Sequence, residues 1–387
     1  MVHDLATIYN DHNVYVIGAG FSVARGLPLI SNFMFSLRDA HEWLLSENRV
    51  SEASSIERVL EFRLQSTPTA YRVKIDLENI EELFSLASAA DSSLTRDICI
   101  AIAATLDFCS ATSKEPKTRF NLEHSRPPMP ACLVANVIHP GANPGATQYE
   151  AQTYDFVMAG LLGLLDIARP RATNSIVSFN YDLLVENSLT ALEIPFSYGF
   201  PPKSVTEDPS SRRLSLSRNS ELRLLKLHGS TNWILPGHRG GRLTILGSYE
   251  EVRRGGYAPE LVPPTWRKAF DGALTHVWQE AMSQISRATR LIVMGFSMPP
   301  TDLHFKYLLA AGLRENISLR EILFVNPSKE VIEQRAIELF GDLQRRPTVR
   351  IAQIQAVNFI GQGELSGAMA SVGRTMHGSI QQVYHHF

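Results

Sequence analysis

Five stretches of this 387-residue chain carry groups able to do chemistry, and each follows a short run of apolar, mostly branched residues. Gly18-Ala19-Gly20 and Ser22 follow Val14 to Ile17, and Asn180-Tyr181-Asp182 follow Ser175 to Phe179. His228-Gly229-Ser230 follow Leu222 to Leu227, Gly295-Phe296-Ser297 follow Leu291 to Met294, and Asn326-Pro327 follow Ile322 to Val325. Glycines spaced closely at the end of a strand and the start of a helix let the backbone approach a pyrophosphate, whose charge meets the free N–H groups of the helix N-terminus. A histidine offers a base that titrates near neutral pH, and amide or carboxylate groups can orient water or steady a developing positive charge. Each stretch alone has a plainer reading. Asn180 and Asp182 are good helix N-terminal residues, Gly295 could form a turn, Asn326-Pro327 could begin a loop, and a lone His228 is more often packed or exposed than catalytic. Coincidence at every strand end favours the functional reading.

The glycines do not follow the usual dinucleotide fingerprint. Val23 stands where a third glycine belongs, and Asn32 to Leu45 has helical periodicity where a strand ending in an acidic residue should follow. A G-x-x-x-x-G-K-[ST] phosphate loop is absent from the sequence. Taken alone, the glycines leave open a dinucleotide site or a tight strand-to-helix turn without ligand.

The five apolar runs read as strands of a parallel sheet covered on both faces. Helices are predicted at Leu27 to Leu45, Asp182 to Leu192, Thr265 to Ser286, Asp302 to Leu313 and Ser328 to Phe340. Strands and helices alternating in this way predict an α/β fold with a Rossmann-like, doubly wound, mostly parallel sheet, whose ligands lie beyond the carboxyl ends of the strands. Between the first and second strands the sequence reads as helix and loop, with amphipathic stretches at Ile56 to Leu64, Leu77 to Ala90, Leu94 to Phe108 and Tyr149 to Ala168. The expected organisation is a Rossmann-like domain formed by residues 1–45 and 172–345, a helical insert over residues 46–171, and a C-terminal extension over residues 346–387. Lys114 to Gly145 is too rich in proline for one regular element, and Pro201 to Ser220 and Pro236 to Pro264 read as long loops.

Composition narrows the class. With 44% apolar and 20% charged residues the chain can bury a sizeable core, and its formal charge of −2 argues against a dedicated nucleic-acid binder. Arg239, Arg242, Arg253 and Arg254 make one loop region locally basic, which is more often a solvated loop than a binding patch. No apolar run reaches the roughly 18 residues of a membrane helix, and the N-terminal stretch lacks the parts of a signal peptide, so a cytoplasmic protein is expected. Cys99, Cys109 and Cys132 include no C-x-x-C pair, which excludes a disulfide scaffold and a four-cysteine zinc module; no metal site is expected.

As an ordered set, VIGAGFSVARGLP, SFNYD, KLHGSTNW, LVPPTWRK, VMGFSMPPTD and FVNPSK resemble the sirtuin-like family of bacterial NAD-consuming anti-phage defence proteins, distant relatives of the sirtuin deacylases. The likeness spans Asn13 to Phe340, and DLENIEELF, Asp76 to Phe84, resembles a segment of that family's helical insert. The resemblance implies that Gly18, Ala19, Gly20, Phe21 and Ser22 hold the NAD pyrophosphate. It places Gly295, Phe296 and Ser297 against the phosphate and ribose on the far side, and Asn326 at the adenosine ribose. Asn180 and His228 match the two catalytic positions, and Asp182 the residue that meets the nicotinamide amide. Breaking the bond between nicotinamide and ribose expels a neutral group from a cation, so no general acid is needed and an oxocarbenium-like charge develops on the sugar.

The departures matter as much. The zinc ribbon of the deacylases cannot be built from three scattered cysteines, and Leu29-Ile30-Ser31 follow Pro28 where deacylases carry an acidic and a basic residue. Water is then the natural acceptor, and the resemblance implies an NAD glycohydrolase acting as an abortive-infection effector. Control is expected from homo-oligomerisation or from a partner such as a HerA-type ATPase or an Argonaute-like protein. The alternatives are ADP-ribosyl transfer, cyclisation or deacylation, or a module that binds NAD or ADP-ribose without turning it over.

Overall fold

The computed structural model describes residues 12–90, 94–121, 148–162, 173–201, 203–236, 242–262, 273–298, 303–341 and 348–353. In chain order the strands are β1 (His12–Ile17), β2 (Lys117–Asn121), β3 (Gln148–Gln152), β4 (Thr173–Ser178), β5 (Val205–Glu207), β6 (Arg223–Lys226), β7 (Trp233–Ile234), β8 (Leu243–Ile245), β9 (Arg290–Met294), β10 (Glu321–Val325) and β11 (Thr348–Ala352). Six of them form one sheet in the order β11-β10-β9-β1-β4-β6. Every pairing within it is parallel.

Parallel strands need long crossovers, which put helices over both faces and demand apolar residues in succession. In β1, Val14, Tyr15, Val16 and Ile17 are all fully buried. Tyr15 and Ile17 enter one core with Phe156, Met158, Val185 and Leu189, from helices Thr153–Leu161 and Leu184–Ala191. Val14 and Val16 enter the other with Val277, Ile285, Leu308 and Ile332, from helices Ala273–Arg287, Leu303–Leu313 and Lys329–Phe340. The two-residue alternation of one strand thus assigns the helices to their faces.

The chain steps outward from β1 through β4 to β6, returns to the other side of β1, and steps outward again through β9, β10 and β11. Counted by order of entry this is 3-2-1-4-5-6, the Rossmann order, with its topological switch point between β1 and β9. The register makes the carboxyl ends level: Ile17 lies opposite Ser178 and Met294, Met294 opposite Val325, and Ser178 opposite Lys226. The loops that leave these ends open along one edge. The sheet has a sixth strand, β11, that the sequence does not predict. It pairs only with β10, and Arg350 interrupts its apolar run, so it lacks the pattern of a strand buried on both faces.

Helices Phe33–Ser46, Val50–Val73, Ile80–Ala90 and Leu94–Thr112 share a third core that includes Leu37, Ile56, Leu83, Phe84, Ile98 and Ile102. The apolar surface of Leu94–Thr112, one of the stretches read as amphipathic, is consumed inside the chain: Ile98, Ala101, Ile102 and Ala104 lie in this core, and Ala103 packs with Tyr249 and Val252. Cys99 and Cys109 are buried on the same helix, and burial pushes the Cys99 thiol up to about 12. Cys132 lies outside the described residues. Among the described residues no helix is long and apolar enough to cross a membrane.

The stretch predicted as helix from Tyr149 to Ala168 is divided. Its first residues belong to β3, and the helix begins at Thr153. β3 pairs antiparallel with β2, placing Arg119 opposite Glu150 and Thr118 opposite Ala151, and that distant partner overrides the local helical period. β2 itself falls in the proline-rich segment read as an irregular loop, of which residues 122–147 are outside the described set. The two later loops are joined, because β5 pairs with β8 and β8 with β7. Within the basic cluster, Arg253 and Arg254 both pair with Glu250.

Asp155 gives a pH-dependent test of the packing between helices Thr153–Leu161 and Leu184–Ala191. Burial raises its carboxyl to about 6, against a bond from Ser188 that lowers it. The folded state therefore holds the proton more tightly than the unfolded state, so stability falls as pH rises from about 4 to about 6 and stays reduced above that. Asp155→Asn is expected to stabilise the chain at pH 7 by about 1–3 kcal/mol and to have little effect at pH 4, read by denaturant unfolding at both values.

Candidate active site

At the switch point two glycine loops meet backbone to backbone. Gly18 N–H donates to the Met294 carbonyl at 3.1 Å, and Gly20 N–H to the Gly295 carbonyl at 2.7 Å. A Cβ on Gly18 would lie 2.6 Å from the Phe296 ring, and one on Gly20 2.8 Å from the Gly295 oxygen. Gly295 has φ +61°, and a Cβ there would fall 2.1 Å from the Phe21 nitrogen. The glycines are therefore required by the fold, and they leave Ala19 and Gly20 half-buried at the start of the short Ala19–Ser22 helix. Phe21 turns inward. Its ring meets Tyr154 edge-on at 5.4 Å, and the Tyr154 hydroxyl donates to the Phe21 carbonyl at 2.8 Å and accepts the Arg25 N–H at 3.2 Å. Tyr154 thus fastens the turn that ends the glycine loop. Val23, where a third glycine was expected, is 38% exposed.

The loop after β4 completes a polar chain with this turn. Asn180 Nδ2 donates to the Gly18 carbonyl and to Ser22 Oγ, both at 3.0 Å, and Ser22 Oγ donates to Asp182 Oδ2 at 2.8 Å. The other carboxylate oxygen of Asp182 accepts the Leu184 N–H at 3.0 Å, ahead of helix Leu184–Ala191. Gly18, Ser22, Asn180 and Asp182 are therefore one hydrogen-bonded unit built from two strand ends. Both amide protons of Asn180 are committed, which leaves its side-chain oxygen as the atom able to meet a ligand.

His228, past the end of β6, packs against both aromatic residues that flank Asn180. Its ring meets Phe179 edge-on at 5.1 Å and lies 6.1 Å from the Tyr181 ring. Phe179 in turn stacks on Phe296 at 4.6 Å, which carries the contact across to the β9 loop. Behind His228, its carbonyl accepts the Val262 N–H at 2.8 Å, and Gly229, at φ +85°, lies where a Cβ would be 2.1 Å from the Glu260 oxygen. Of the LVPPTWRK segment, residues from 263 onward are outside the described set. Ser297 and Asn326 sit at the β9 and β10 ends. Ser297 is exposed, with its carbonyl accepting from Arg335, and Asn326 Oδ1 accepts the Ser328 N–H at 2.9 Å in a turn that opens helix Lys329–Phe340.

Sequence reasoning missed a buried polar group beneath this loop. Lys226, 1% exposed at the end of β6, lies 2.9 Å from Glu186 Oε1, and the Tyr198 hydroxyl donates to the same carboxylate oxygen at 3.2 Å. Burial pushes the Glu186 carboxyl up and the Lys226 ammonium pulls it down. The signal was present: a lysine within the apolar run Leu224-Leu225-Lys226-Leu227 demands a buried partner. Among the described residues no three His, Cys, Asp or Glu side chains gather as a metal site.

No protein-family model matches the sequence, and no curated protein matches it. Solved structures do match. One is Sir2Tm bound to a propionylated peptide, at 12% identity, covering 95% of this chain and 97% of that chain, with a TM-score of 0.39. Another is a Sir2 homologue in complex with NAD, at 14% identity, covering 95% of this chain and 90% of that chain, with a TM-score of 0.38. The fold class itself rests on strand order, register and the two helical layers.

Proposed function

We propose that the chain hydrolyses NAD to nicotinamide and ADP-ribose. The observation that carries this reading is the hydrogen-bonded unit of Gly18, Ser22, Asn180 and Asp182 at the switch point, with His228 packed beside it. Ala19 and Gly20 are half-buried at the start of the helix, the place that the sequence resemblance assigns to the pyrophosphate. Cleavage breaks the bond between the ribose C1′ and the nicotinamide nitrogen, and the electron pair leaves with neutral nicotinamide. The Asn180 side-chain oxygen steadies the positive charge that grows on the sugar. His228 takes a proton from the attacking water as the water oxygen bonds to C1′, or from a ribose hydroxyl while the water's own proton passes to solvent, and ADP-ribose leaves. Asp182, fixed by Ser22 and the Leu184 N–H, faces the nicotinamide amide.

The sequence resemblance supports a role as an anti-phage effector whose activity is released by oligomerisation or by a partner, with a HerA-type ATPase or an Argonaute-like protein as the candidates. Chromatographic product analysis tests the reading. Equal amounts of nicotinamide and free ADP-ribose are expected, whereas a cyclic product or labelled protein would replace hydrolysis by cyclisation or transfer.

A further inference from the structure

We propose that Lys226 is a positioning residue that holds the Asn180 to Asp182 loop against the strand that leads to His228, an assignment that rests on the hydrolase reading above for its kinetic consequence. The Lys226 ammonium has three protons, and three acceptors surround it: Glu186 Oε1 at 2.9 Å, the Tyr181 carbonyl at 3.3 Å, and the Asp182 carbonyl. Two of these are backbone atoms of the loop that carries the candidate site. The third belongs to the first turn of the helix that follows it.

Lys226 lies two residues before His228 on β6, so one side chain joins the strand leading to His228 to the loop presenting Asn180 and Asp182. The backbone adds a parallel tie, since Thr231 N–H donates to the same Tyr181 carbonyl at 3.0 Å. Glu186 balances the charge, and its bond from Tyr198 fixes the carboxylate in place. A buried ammonium must place all three of its protons, and here two of them go to the site loop rather than to the helix or to the strand's own neighbours. The bonds to successive carbonyls give this ammonium a geometric task, and a hydrophobic replacement cannot perform it.

The test compares the full chain with Lys226→Met/Glu186→Gln, which removes both charges together, and with Glu186→Gln, which leaves the ammonium on the two carbonyls. Amide hydrogen exchange is followed by mass spectrometry, and NAD cleavage in parallel. In the double variant, amides of residues 179–187 are expected to exchange at least tenfold faster, with β1 and β9 unchanged. The kcat for NAD cleavage should fall at least tenfold with KM within threefold, and Glu186→Gln should keep residues 179–187 within threefold of the parent. Exchange of that segment within twofold of the parent in the double variant would overturn the proposal, as would equal loosening in Glu186→Gln. If the parent cleaves no NAD, the hydrolase reading fails, and the exchange measurement still decides whether Lys226 positions the loop.

Discussion

Asn180→Ala is expected to lower the rate of NAD cleavage by about 10²–10⁴-fold, and His228→Ala by a similar factor. On the proposed reading the Asn180 change removes the oxygen that would face the growing charge, and it takes the N–H donors from the Gly18 carbonyl and Ser22 Oγ. Loss of those bonds costs about 1–3 kcal/mol of stability, which leaves a folded protein in which the chemical step can be measured. The proposed mechanism has the two residues act on one transition state, so the double variant should be little slower than the worse single variant. Measuring NAD affinity alongside the rate separates the roles, because a turn held only for binding would lose affinity and rate together.

Gly295→Ala is expected to destabilise the chain by about 2–5 kcal/mol and to abolish NAD binding. Two effects add. A side chain at φ +61° is strained, and its Cβ would meet the Phe21 nitrogen at 2.1 Å and the Gly20 carbonyl carbon at 2.4 Å. Gly341 supplies the comparison, since it has φ +74° and a Cβ there would meet none of the described residues within 4 Å. Gly341→Ala should therefore show only the conformational strain, about 1–3 kcal/mol at φ +74° and ψ −125°. The difference between the two unfolding free energies reports the contact of the two glycine loops, and equal losses would show that these loops do not pack as described.

Much of the fold was legible because parallel strands covered on both faces leave continuous apolar runs. Val14 to Ile17, Leu291 to Met294 and Ile322 to Val325 each became strands within a residue or two of their predicted ends. The site was legible for a related reason: level carboxyl ends put the residue after each strand on one edge, so Asn180, His228 and Gly295 could be grouped by position alone. Features set by distant partners were not legible. β3 depends on β2, and the value of Tyr154 depends on the Phe21 carbonyl it reaches across 133 positions of sequence. Asn326 carried two readings, and the bond from the Ser328 N–H shows the turn-forming one in place.

The proposed reaction breaks the bond between nicotinamide and ribose with Asn180 and His228. The most direct measurement follows NAD labelled in the nicotinamide ring, incubated with the purified chain alone and with each candidate activator. Release of free nicotinamide with an equal amount of ADP-ribose, lost in Asn180→Ala and His228→Ala, is the predicted result. NAD left intact under every condition, or cleaved as fast by those two variants as by the parent, would contradict the account.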